Sequence, residues 1–246
     1  MKTIPVTIRN IRARLRDLAD PEDAKTLQWF FKTGPGEYGE GDVFAGIRVP
    51  MLRKVAKEFS AADEGVIGGL LASAIHEERL LALMILVGQF EKGSAADRQR
   101  IFRLYLANTD RINNWDLVDL SAPNILGGYL KDKSRKPLYR LVGSASLWER
   151  RMAILATFAF IRKKEFEDAL AIADRLLHDD EDLIHKAVGW MLREVGKRDV
   201  AVLEEFLAAR GGMMPRTMLR YAIERFPEAK RKGYLLSTRG RSGPRT

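Results

Sequence analysis

Residues 150–155 form the stretch Arg-Arg-Met-Ala-Ile-Leu, whose cations, small residue and apolar residues at helical spacing indicate an amphipathic helix. Related stretches occur at 78–83 (Glu-Arg-Leu-Leu-Ala-Leu), 185–190 (His-Lys-Ala-Val-Gly-Trp) and 216–222 (Arg-Thr-Met-Leu-Arg-Tyr-Ala). Each puts a cation near a helix start and a small residue soon after it, where a neighbouring helix must approach closely. With a helix opening at Trp115, the stretches recur at roughly 35-residue intervals, which is typical of two-helix repeats such as HEAT and armadillo.

The rest of the chain supports helices throughout. Glycine pairs such as Gly68-Gly69 separate the apolar-periodic segments, and no alternating valine or isoleucine run predicts a strand. A helical hairpin cannot bury its apolar face alone, so the repeats must stack. The sequence therefore predicts an all-α protein, a right-handed superhelix (solenoid) of HEAT-like two-helix repeats with a basic concave groove. It predicts one domain over residues 1–229 and a flexible, basic, Gly/Ser-containing tail over 230–246 that adds phosphate affinity.

Composition limits the possible functions. The 246 residues are 46% hydrophobic, enough for a buried core, and 42 Lys+Arg against 33 Asp+Glu give a net charge of +9. That charge, with a pI near 9.8, favours a polyanionic partner, either nucleic acid or an anionic membrane. There is no cysteine, and the three histidines (His76, His178, His185) lack HExxH-type spacing. This excludes a disulfide framework and a thiol nucleophile, and we expect neither a metal nor a cofactor.

The first residues are charged and lack the apolar core of a secretory signal, and no later stretch is apolar enough to span a bilayer. We therefore expect a cytoplasmic protein. The arginine-rich start also fits a transit peptide, but Asp17 and Asp20 follow it directly, and an amphipathic first helix explains the same pattern.

Residues 34–39 match the pattern GxGxxG of dinucleotide-binding folds. That motif needs a strand before it and a helix directly after it, whereas these residues follow a helical segment. Pro35 and Glu37 also suit a pyrophosphate poorly. The match therefore does not predict dinucleotide binding.

Residues 113–119 (Asn-Asn-Trp-Asp-Leu-Val-Asp) are the most informative segment. Asn113 or Asn114 can cap a helix, and Asp116 falls in its first turn, where the unpaired amides and the helix dipole favour a carboxylate. We therefore interpret Asp116 as structural rather than catalytic. Asp119 comes four residues after Trp115, so its carboxylate and the indole ring share one face.

Two further tryptophans, Trp148 and Trp190, occupy comparable repeat positions, and each has an arginine three residues later, at Arg151 and Arg193. Taken singly, such tryptophans are packing residues. Together with the cations they indicate a groove that offers phosphate contacts and flat rings for bases or sugars. Arg150 and Arg151 are adjacent and point differently, so only one of them can face such a groove.

These segments resemble the AlkD family of bacterial DNA alkylation repair glycosylases, in the same order over residues 27–227. The resemblance is carried by 30–39 (Phe-Phe-Lys-Thr-Gly-Pro-Gly-Glu-Tyr-Gly), 46–50 (Gly-Ile-Arg-Val-Pro), 114–119 (Asn-Trp-Asp-Leu-Val-Asp), 148–153 (Trp-Glu-Arg-Arg-Met-Ala) and 186–194 (Lys-Ala-Val-Gly-Trp-Met-Leu-Arg-Glu). Sequence motifs that mix Trp, Asp and Arg in this way are not found in generic HEAT proteins.

The resemblance implies roles for individual residues. Asp119 matches the catalytic carboxylate, Trp115 and Trp190 the rings that flank the lesion nucleotide's sugar, and Arg151 the phosphate-contacting arginine. An early aromatic residue also contributes in the family; this sequence lacks the family's tyrosine there, and Trp29, Phe30 or Phe31 could take its place. The further DNA-binding candidates are Arg48, Trp148, Arg150, Lys186 and Arg193.

The implied function is a monofunctional glycosylase that releases N3- and N7-alkylpurines from duplex DNA. It would act as a monomer, without cofactor, metal or membrane, in a bacterial-type cytosol close to the nucleoid. The alternative is a non-catalytic HEAT-like protein that binds nucleic-acid structure through its basic face. A scaffold for acidic peptides and a membrane-surface protein are the remaining hypotheses.

Overall fold

The structure is a computed structural model and describes residues 5–237. In this range it is all-helical, which confirms the predicted class. Its sixteen α-helices are α1 (Ile8–Arg16), α2 (Pro21–Phe30), α3 (Val49–Glu58), α4 (Glu64–Leu71), α5 (His76–Lys92), α6 (Ala95–Leu106), α7 (Trp115–Ser121), α8 (Gly128–Leu130), α9 (Lys136–Leu141), α10 (Leu147–Ala156), α11 (Phe158–Ile161), α12 (Glu167–Arg175), α13 (Asp182–Gly196), α14 (Val200–Arg210), α15 (Arg216–Ala222) and α16 (Glu228–Ser237). A 3-10 helix covers Thr109–Arg111 and a π-helical turn covers Pro123–Gly127. Between residues 5 and 237 the only β-type pairing is an isolated parallel bridge of Val43 with Ile75.

The chain forms two compact units, unit 1 (Met1–Ile125) and unit 2 (Leu126–Thr246). In unit 1, helices α3, α4, α6 and α7 pack on α5, whose residues are buried on nearly every side. In unit 2, helices α10, α12, α14 and α15 pack on α13 in the same way. Helix α5 is buried over most of its length and is apolar after its first turn, whereas α13 is amphipathic and leaves Asp182 exposed. The single domain and the right-handed superhelix stay predictions.

Several helices begin at side chains that bind the first free backbone amides. Asp20 caps α2 by accepting hydrogen bonds from the amides of Glu22 and Asp23, and proline stands at the first position of that helix. Ser94 and Asp97 form a reciprocal capping box at the start of α6. Local sequence therefore determines where these helices start.

Three of the residues predicted near helix starts, Arg79, Arg150 and His185, make the same kind of contact. Arg79 of α5 donates from Nη1 to the carbonyls six and five residues before it, at 2.9 and 3.1 Å. Arg150 of α10 donates to the carbonyls at the same two offsets, at 3.0 and 2.9 Å. His185 of α13 lies with its Nε2 2.5 Å from the carbonyl oxygen six residues before it. We call this contact of Arg79, Arg150 and His185 the carbonyl clamp.

The spacing of the carbonyl clamp follows the predicted repeat. Arg150 and His185 are 35 residues apart, and Arg79 and Arg150 are 71 residues apart, about two such intervals. Each clamp ties the start of a helix to the turn before it, so the cation determines how the chain enters the helix.

The small residues after these cations allow close helix packing, as predicted. A Cβ on Gly189 would lie 2.4 Å from the Met218 carbonyl oxygen, so α13 and α15 can approach at this distance only because residue 189 is glycine. Ala82 and Ala153, which follow the cations of α5 and α10, are fully buried.

The two ends of the described chain are helical. Helix α1 packs on α4 and buries Ile11 and Leu15, as expected of an ordinary amphipathic first helix. Helix α16 places the ring of Tyr234 5.7 Å from that of Phe226. The expected flexible tail from residue 230 therefore begins as helix, and residues 238–246 lie outside the described range.

Candidate functional site

Helix α7 begins as the sequence predicts. Asn114 is its N-cap, is fully buried, and accepts a hydrogen bond from the Trp115 amide at 2.8 Å. Asp116 accepts from the Leu117 amide through Oδ1, also at 2.8 Å. The interpretation of Asp116 as a residue that stabilises the helix start agrees with this geometry.

The stacked ring of Phe31 fixes the indole of Trp115. The two ring centroids are 5.1 Å apart with planes only 15° from parallel, and Phe30 meets the same indole edge-on at 6.0 Å. Phe31 is buried, whereas Phe30 is 53% exposed and Trp29 is 75% exposed. The three candidate aromatics thus differ: Phe31 supports Trp115 from within, Phe30 adjoins it at the surface, and Trp29 lies open to solvent.

Asp119 lies one turn after Trp115 on α7, and both side chains are partly exposed. Its carboxylate is close to the buried Tyr105, which hydrogen-bonds Ser121 at 2.8 Å. Burial raises the pKa of Tyr105 well above its usual range; the Ser121 hydrogen bond opposes this shift and the Asp119 carboxylate adds to it. Tyr105 is therefore a neutral hydroxyl beside Asp119.

A buried ionic cluster, which the sequence analysis did not find, supports the start of α7. His76 lies with Nδ1 3.0 Å from Asp42 Oδ2 and with Nε2 2.9 Å from Asp116 Oδ2. Asp42 also accepts from Arg79 at 2.5 Å and from Asn114 at 3.2 Å. We call Asp42, His76, Arg79 and Asp116 the α7 ionic cluster. Its one sequence signal is the run of four ionisable residues, 76–79, at the start of the otherwise apolar α5.

The charges of the α7 ionic cluster stabilise one another. Burial alone lowers the pKa of His76, but the hydrogen bonds to Asp116 and Asp42 outweigh it and raise the value to about 9. Burial likewise works to raise the pKa of Asp42, yet the His76 hydrogen bond and the Arg79 charge bring it below its usual value. At neutral pH the cluster therefore holds two carboxylates and two cations.

Residues 34–41 form a loop whose amides bind the loop's own carboxylates. The Gly34 amide donates to Glu37 Oε2 and the Gly36 amide to Glu40 Oε2, both at 2.9 Å. The loop follows α2 rather than a strand. Because carboxylates already occupy these amides, the structure supports the sequence-based rejection of a dinucleotide site at GxGxxG.

The next turn depends on glycine and on a buried carboxylate. Glu77 accepts from the amides of Ala45, Gly46 and Ile47 at 2.9, 2.9 and 3.1 Å. Gly46 has φ +81°, and a Cβ there would lie 1.9 Å from the Asp20 carbonyl oxygen. These contacts explain the motif Gly-Ile-Arg-Val-Pro and place Arg48 at the surface before α3.

In unit 2, Trp190 of α13 is partly exposed and its ring is 6.3 Å from that of Phe158, tilted by 44°. Two guanidinium groups lie over the Phe158 ring, Arg162 at 4.2 Å and Arg198 at 5.6 Å from its centroid. Within unit 2, Trp190 therefore adjoins an aromatic ring that makes two cation–π contacts.

The adjacent arginines of α10 point differently, as their spacing requires. Arg150 forms a carbonyl clamp and also pairs with Asp179 at 2.6 Å, so its guanidinium is committed within the protein. Arg151 is buried and donates to the Leu183 carbonyl at 2.5 Å. Trp148 is also buried, with 8% of its surface exposed. Arg150, Arg151 and Trp148 therefore all make contacts within the protein, at positions where the sequence suggests DNA binding.

The remaining candidate cations form ion pairs at the surface. Arg48 pairs with Asp23 at 2.6 Å and is 74% exposed, and Lys186 pairs with Asp182 at 2.7 Å and is 40% exposed. Arg193 pairs with Glu224. Exposed pairs such as those of Arg48 and Lys186 contribute little to stability, so a phosphate can replace their carboxylate partner at small cost. Arg193 itself is only 17% exposed, although its partner Glu224 is 47% exposed.

Comparison with known protein families identifies the family of this chain. The family model for the DNA alkylation repair enzyme matches residues 11–226. The chain belongs to the DNA alkylation repair enzyme family. Membership gives it a role in DNA repair and DNA as its partner. No curated protein matches the chain.

The fold of this chain is also similar to that of solved structures. A predicted DNA alkylation repair enzyme from Enterococcus faecalis is 18% identical, with a TM-score of 0.65 over 85% of this chain and 97% of its own. AlkD2 from Streptococcus mutans is 16% identical, with a TM-score of 0.53 over 90% of this chain and 100% of its own. At these identities the likeness shows a shared helical fold.

Two further properties of this family member concern what it can bind. Within residues 5–237, His, Asp and Glu side chains form no cluster of three that could hold a metal ion. Over the same residues, no helix has the length and apolar character needed to cross a membrane.

Proposed function

We propose that this protein is a monofunctional DNA glycosylase that hydrolyses the N-glycosidic bond of positively charged N3- and N7-alkylpurines in duplex DNA and leaves an abasic site. The observation that supports it best is the arrangement on α7. Asp119 follows Trp115 by one turn, and Trp115 stacks on Phe31 at 5.1 Å, in a chain that belongs to a DNA alkylation repair family.

The chemistry requires little of the protein. An N3- or N7-alkylated purine carries a positive charge, so when the bond from C1′ to the base breaks, the bonding electrons neutralise the departing purine. The sugar gains oxocarbenium character, and a water oxygen then bonds to C1′. Asp119 stabilises the positive sugar and accepts a proton from the water, as carboxylates do in glycoside hydrolysis.

The aromatic rings position and stabilise the sugar. Trp115 offers an indole face, and each cation–π contact contributes roughly 0.5–2 kcal/mol. Among the three early aromatics, Phe30 combines 53% exposure with an edge contact to Trp115, and we assign it the family's early aromatic position. Trp190 takes the second ring position by resemblance.

Phosphate contacts hold the duplex without selecting a sequence. We assign Arg151 to this role by resemblance. We add Arg48 and Lys186 because these exposed cations can exchange their carboxylate partners for phosphates, and Arg193 because its partner Glu224 is exposed. In residues 115–119 no lysine offers the amine for a Schiff base, which supports a hydrolytic reaction without a lyase step.

The proposed setting follows from the same assignments. The protein acts as a monomer and binds the duplex through the basic concave face of its HEAT-like repeats. It works in a bacterial-type cytosol, where alkylated chromosomal DNA is accessible.

The test is release of N7-methylguanine and N3-methyladenine from an alkylated duplex under single-turnover conditions. We expect Asp119→Asn to slow release by about 10²-fold, the usual order for loss of one electrostatic group, and to keep duplex affinity. Asp110→Asn is the matched control, because Asp110 is an exposed carboxylate paired with Arg111 at 3.1 Å. Wild-type protein that binds the duplex but releases neither base would refute the proposal and support the non-catalytic alternative.

A further inference from the structure

His76 of the α7 ionic cluster makes contacts that only its charged form can satisfy. Its side chain is 1% exposed, and each ring nitrogen faces a carboxylate oxygen, Asp42 Oδ2 at 3.0 Å and Asp116 Oδ2 at 2.9 Å. A neutral imidazole carries one N–H, so its other nitrogen would present a lone pair to a carboxylate. The imidazolium donates to both. The geometry therefore requires a buried cation at this position.

The groups that face His76 come from three segments. Asp42 lies in the chain after α2, Asp116 lies in the first turn of α7, and Arg79 of α5 itself binds the far oxygen of Asp42. Asn113 and Asn114 complete the surroundings with neutral amides directed at Asp42. One imidazolium thus joins the 34–47 segment, α5 and α7.

The ring of His76 also continues the aromatic stack. It lies 4.4 Å from the ring of Phe44, nearly parallel at 22°, and 5.2 Å from the ring of Phe31. Phe31 in turn stacks on Trp115. His76 therefore reaches α7 by two routes, through a carboxylate at residue 116 and through stacked rings at residue 115.

We propose that His76 is a positioning residue, whose imidazolium bridges Asp42 and Asp116 and so holds the first turn of α7, with Trp115 and Asp119, in the orientation that base release requires. The role rests on the proposed function, because that function makes Trp115 and Asp119 the reacting face. A neutral His76 keeps one of its two hydrogen bonds and leaves the other carboxylate without its N–H.

The proposal makes base release sensitive to alkaline pH. The pKa of His76 is about 9 in the protein against 6.5 for the free side chain. In the folded protein the bridge is therefore intact at neutral pH and is lost as the pH rises through about 9. Positioning of α7 should decline over the upper part of this range.

The first measurement is independent of activity. We expect ¹⁵N NMR of the histidine side chains to show His76 with both nitrogens protonated at pH 7.5, and ¹⁹F NMR of 5-fluorotryptophan protein to show the Trp115 resonance shifting as His76 titrates. Trp115→Phe assigns that resonance among the four tryptophans. A neutral His76 at pH 7.5 would overturn the proposal, and so would a Trp115 resonance whose chemical shift does not change as His76 titrates. Both results can be obtained even if the protein releases no base.

The second measurement uses the pH profile of single-turnover base release. Asp116→Asn removes one of the two carboxylates, so the imidazolium is less stabilised and the alkaline decline should move to lower pH by about one unit or more. Asp110→Asn should keep the wild-type profile, and duplex affinity should change little in either variant. His76→Gln should release base slowly at every pH. If the His76→Gln protein does not fold, the pH profile of Asp116→Asn still tests the proposal. An Asp116→Asn profile that declines at the same pH as the wild type contradicts it.

Discussion

The carbonyl clamps of Arg79 in unit 1 and Arg150 in unit 2 have the same local geometry but different carboxylate partners. Arg79 binds Asp42, which also binds His76 and the Asn114 cap of α7. Arg150 binds Asp179, whose own carbonyl oxygen accepts from His185, the next clamp. One sequence feature therefore supports the candidate catalytic helix in unit 1 and connects the starts of α10 and α13 in unit 2. The carboxylate partner, not the arginine, decides which of these two roles the clamp has.

The largest difference should appear when each clamp is removed. Arg79→Gln leaves Asp42 buried with less charge compensation, and breaking a buried pair costs about 3–5 kcal/mol. Arg150→Gln should cost less, because the Arg150 side chain is 17% exposed against 5% for Arg79. Hydrogen exchange of the α5 and α10 amides measures both losses locally; equal losses would remove the distinction between the two clamps.

The second difference should appear with pH. The imidazolium of His76 contributes stability that is complete below pH 6.5 and is lost through about pH 9. A shift of this size corresponds to about 3 kcal/mol. The hydrogen bonds of Arg150 go to Asp179 and to two backbone carbonyls, not to a histidine. Between pH 7 and 9.5, hydrogen exchange of the α5 amides should therefore accelerate more than that of a matched unstructured peptide. The exchange rates of the α10 amides should change only as much as those of the peptide. Acceleration of both helices would point to global unfolding.

The third prediction compares the two tryptophans assigned to the sugar. Trp115→Leu should slow base release more than Trp190→Leu, because Phe31 stacks on Trp115 in parallel whereas Phe158 meets Trp190 at a tilt. Loss of one cation–π contact corresponds to about 2- to 30-fold in rate. Single-turnover release with each variant measures this. If only Trp190→Leu slowed base release, Trp190 in unit 2 would contribute more to the reaction than Trp115 in unit 1, contrary to this prediction.

The smallest effects concern the exposed cations. Arg48→Ala in unit 1 and Lys186→Ala in unit 2 should each leave the midpoint of thermal unfolding nearly unchanged, because exposed ion pairs contribute little to stability. If they contact phosphates, each should reduce the slope of log affinity against log salt by about one. Arg100→Ala is the control, because Arg100 is also exposed and paired, with Glu64 at 2.8 Å, but is not assigned to DNA. A slope that changes equally in all three variants would show a general charge effect.

The elements that follow from neighbouring residues were predictable. Helical periodicity predicts the all-helical class, and Asn114 and Asp116 stabilise the start of α7 as their positions imply. The small residues at Ala153 and Gly189 are buried at close helix contacts, also as predicted. The helical class and the start of α7 depend on residues within a few positions of one another, so the local sequence contains the information. A small residue in the repeated stretches indicates a close contact but not its partner, which for Gly189 is the distant Met218.

The α7 ionic cluster was not predictable, because its members lie far apart in the chain. Asp42 and Arg79 are separated by 37 residues, and His76 and Asp116 by 40. No local pattern shows which of many charged residues will be buried together. The same reason explains Arg150, whose sequence position beside Arg151 suggests DNA binding but whose partner Asp179 lies 29 residues away.

The sequence by itself determined the helices, the approximately 35-residue spacing of the cations near their starts, and a Trp115–Asp119 pair on one helical face. Only the tertiary structure decided that Phe31 is buried beneath Trp115 while Phe30 stays at the surface, and that His76 is held between two carboxylates. The physical reason is that helix formation follows from backbone geometry and neighbouring side chains. Burial of a charge is tolerated only where the fold brings compensating charges or hydrogen-bond donors to it, and in the α7 ionic cluster these come from distant residues.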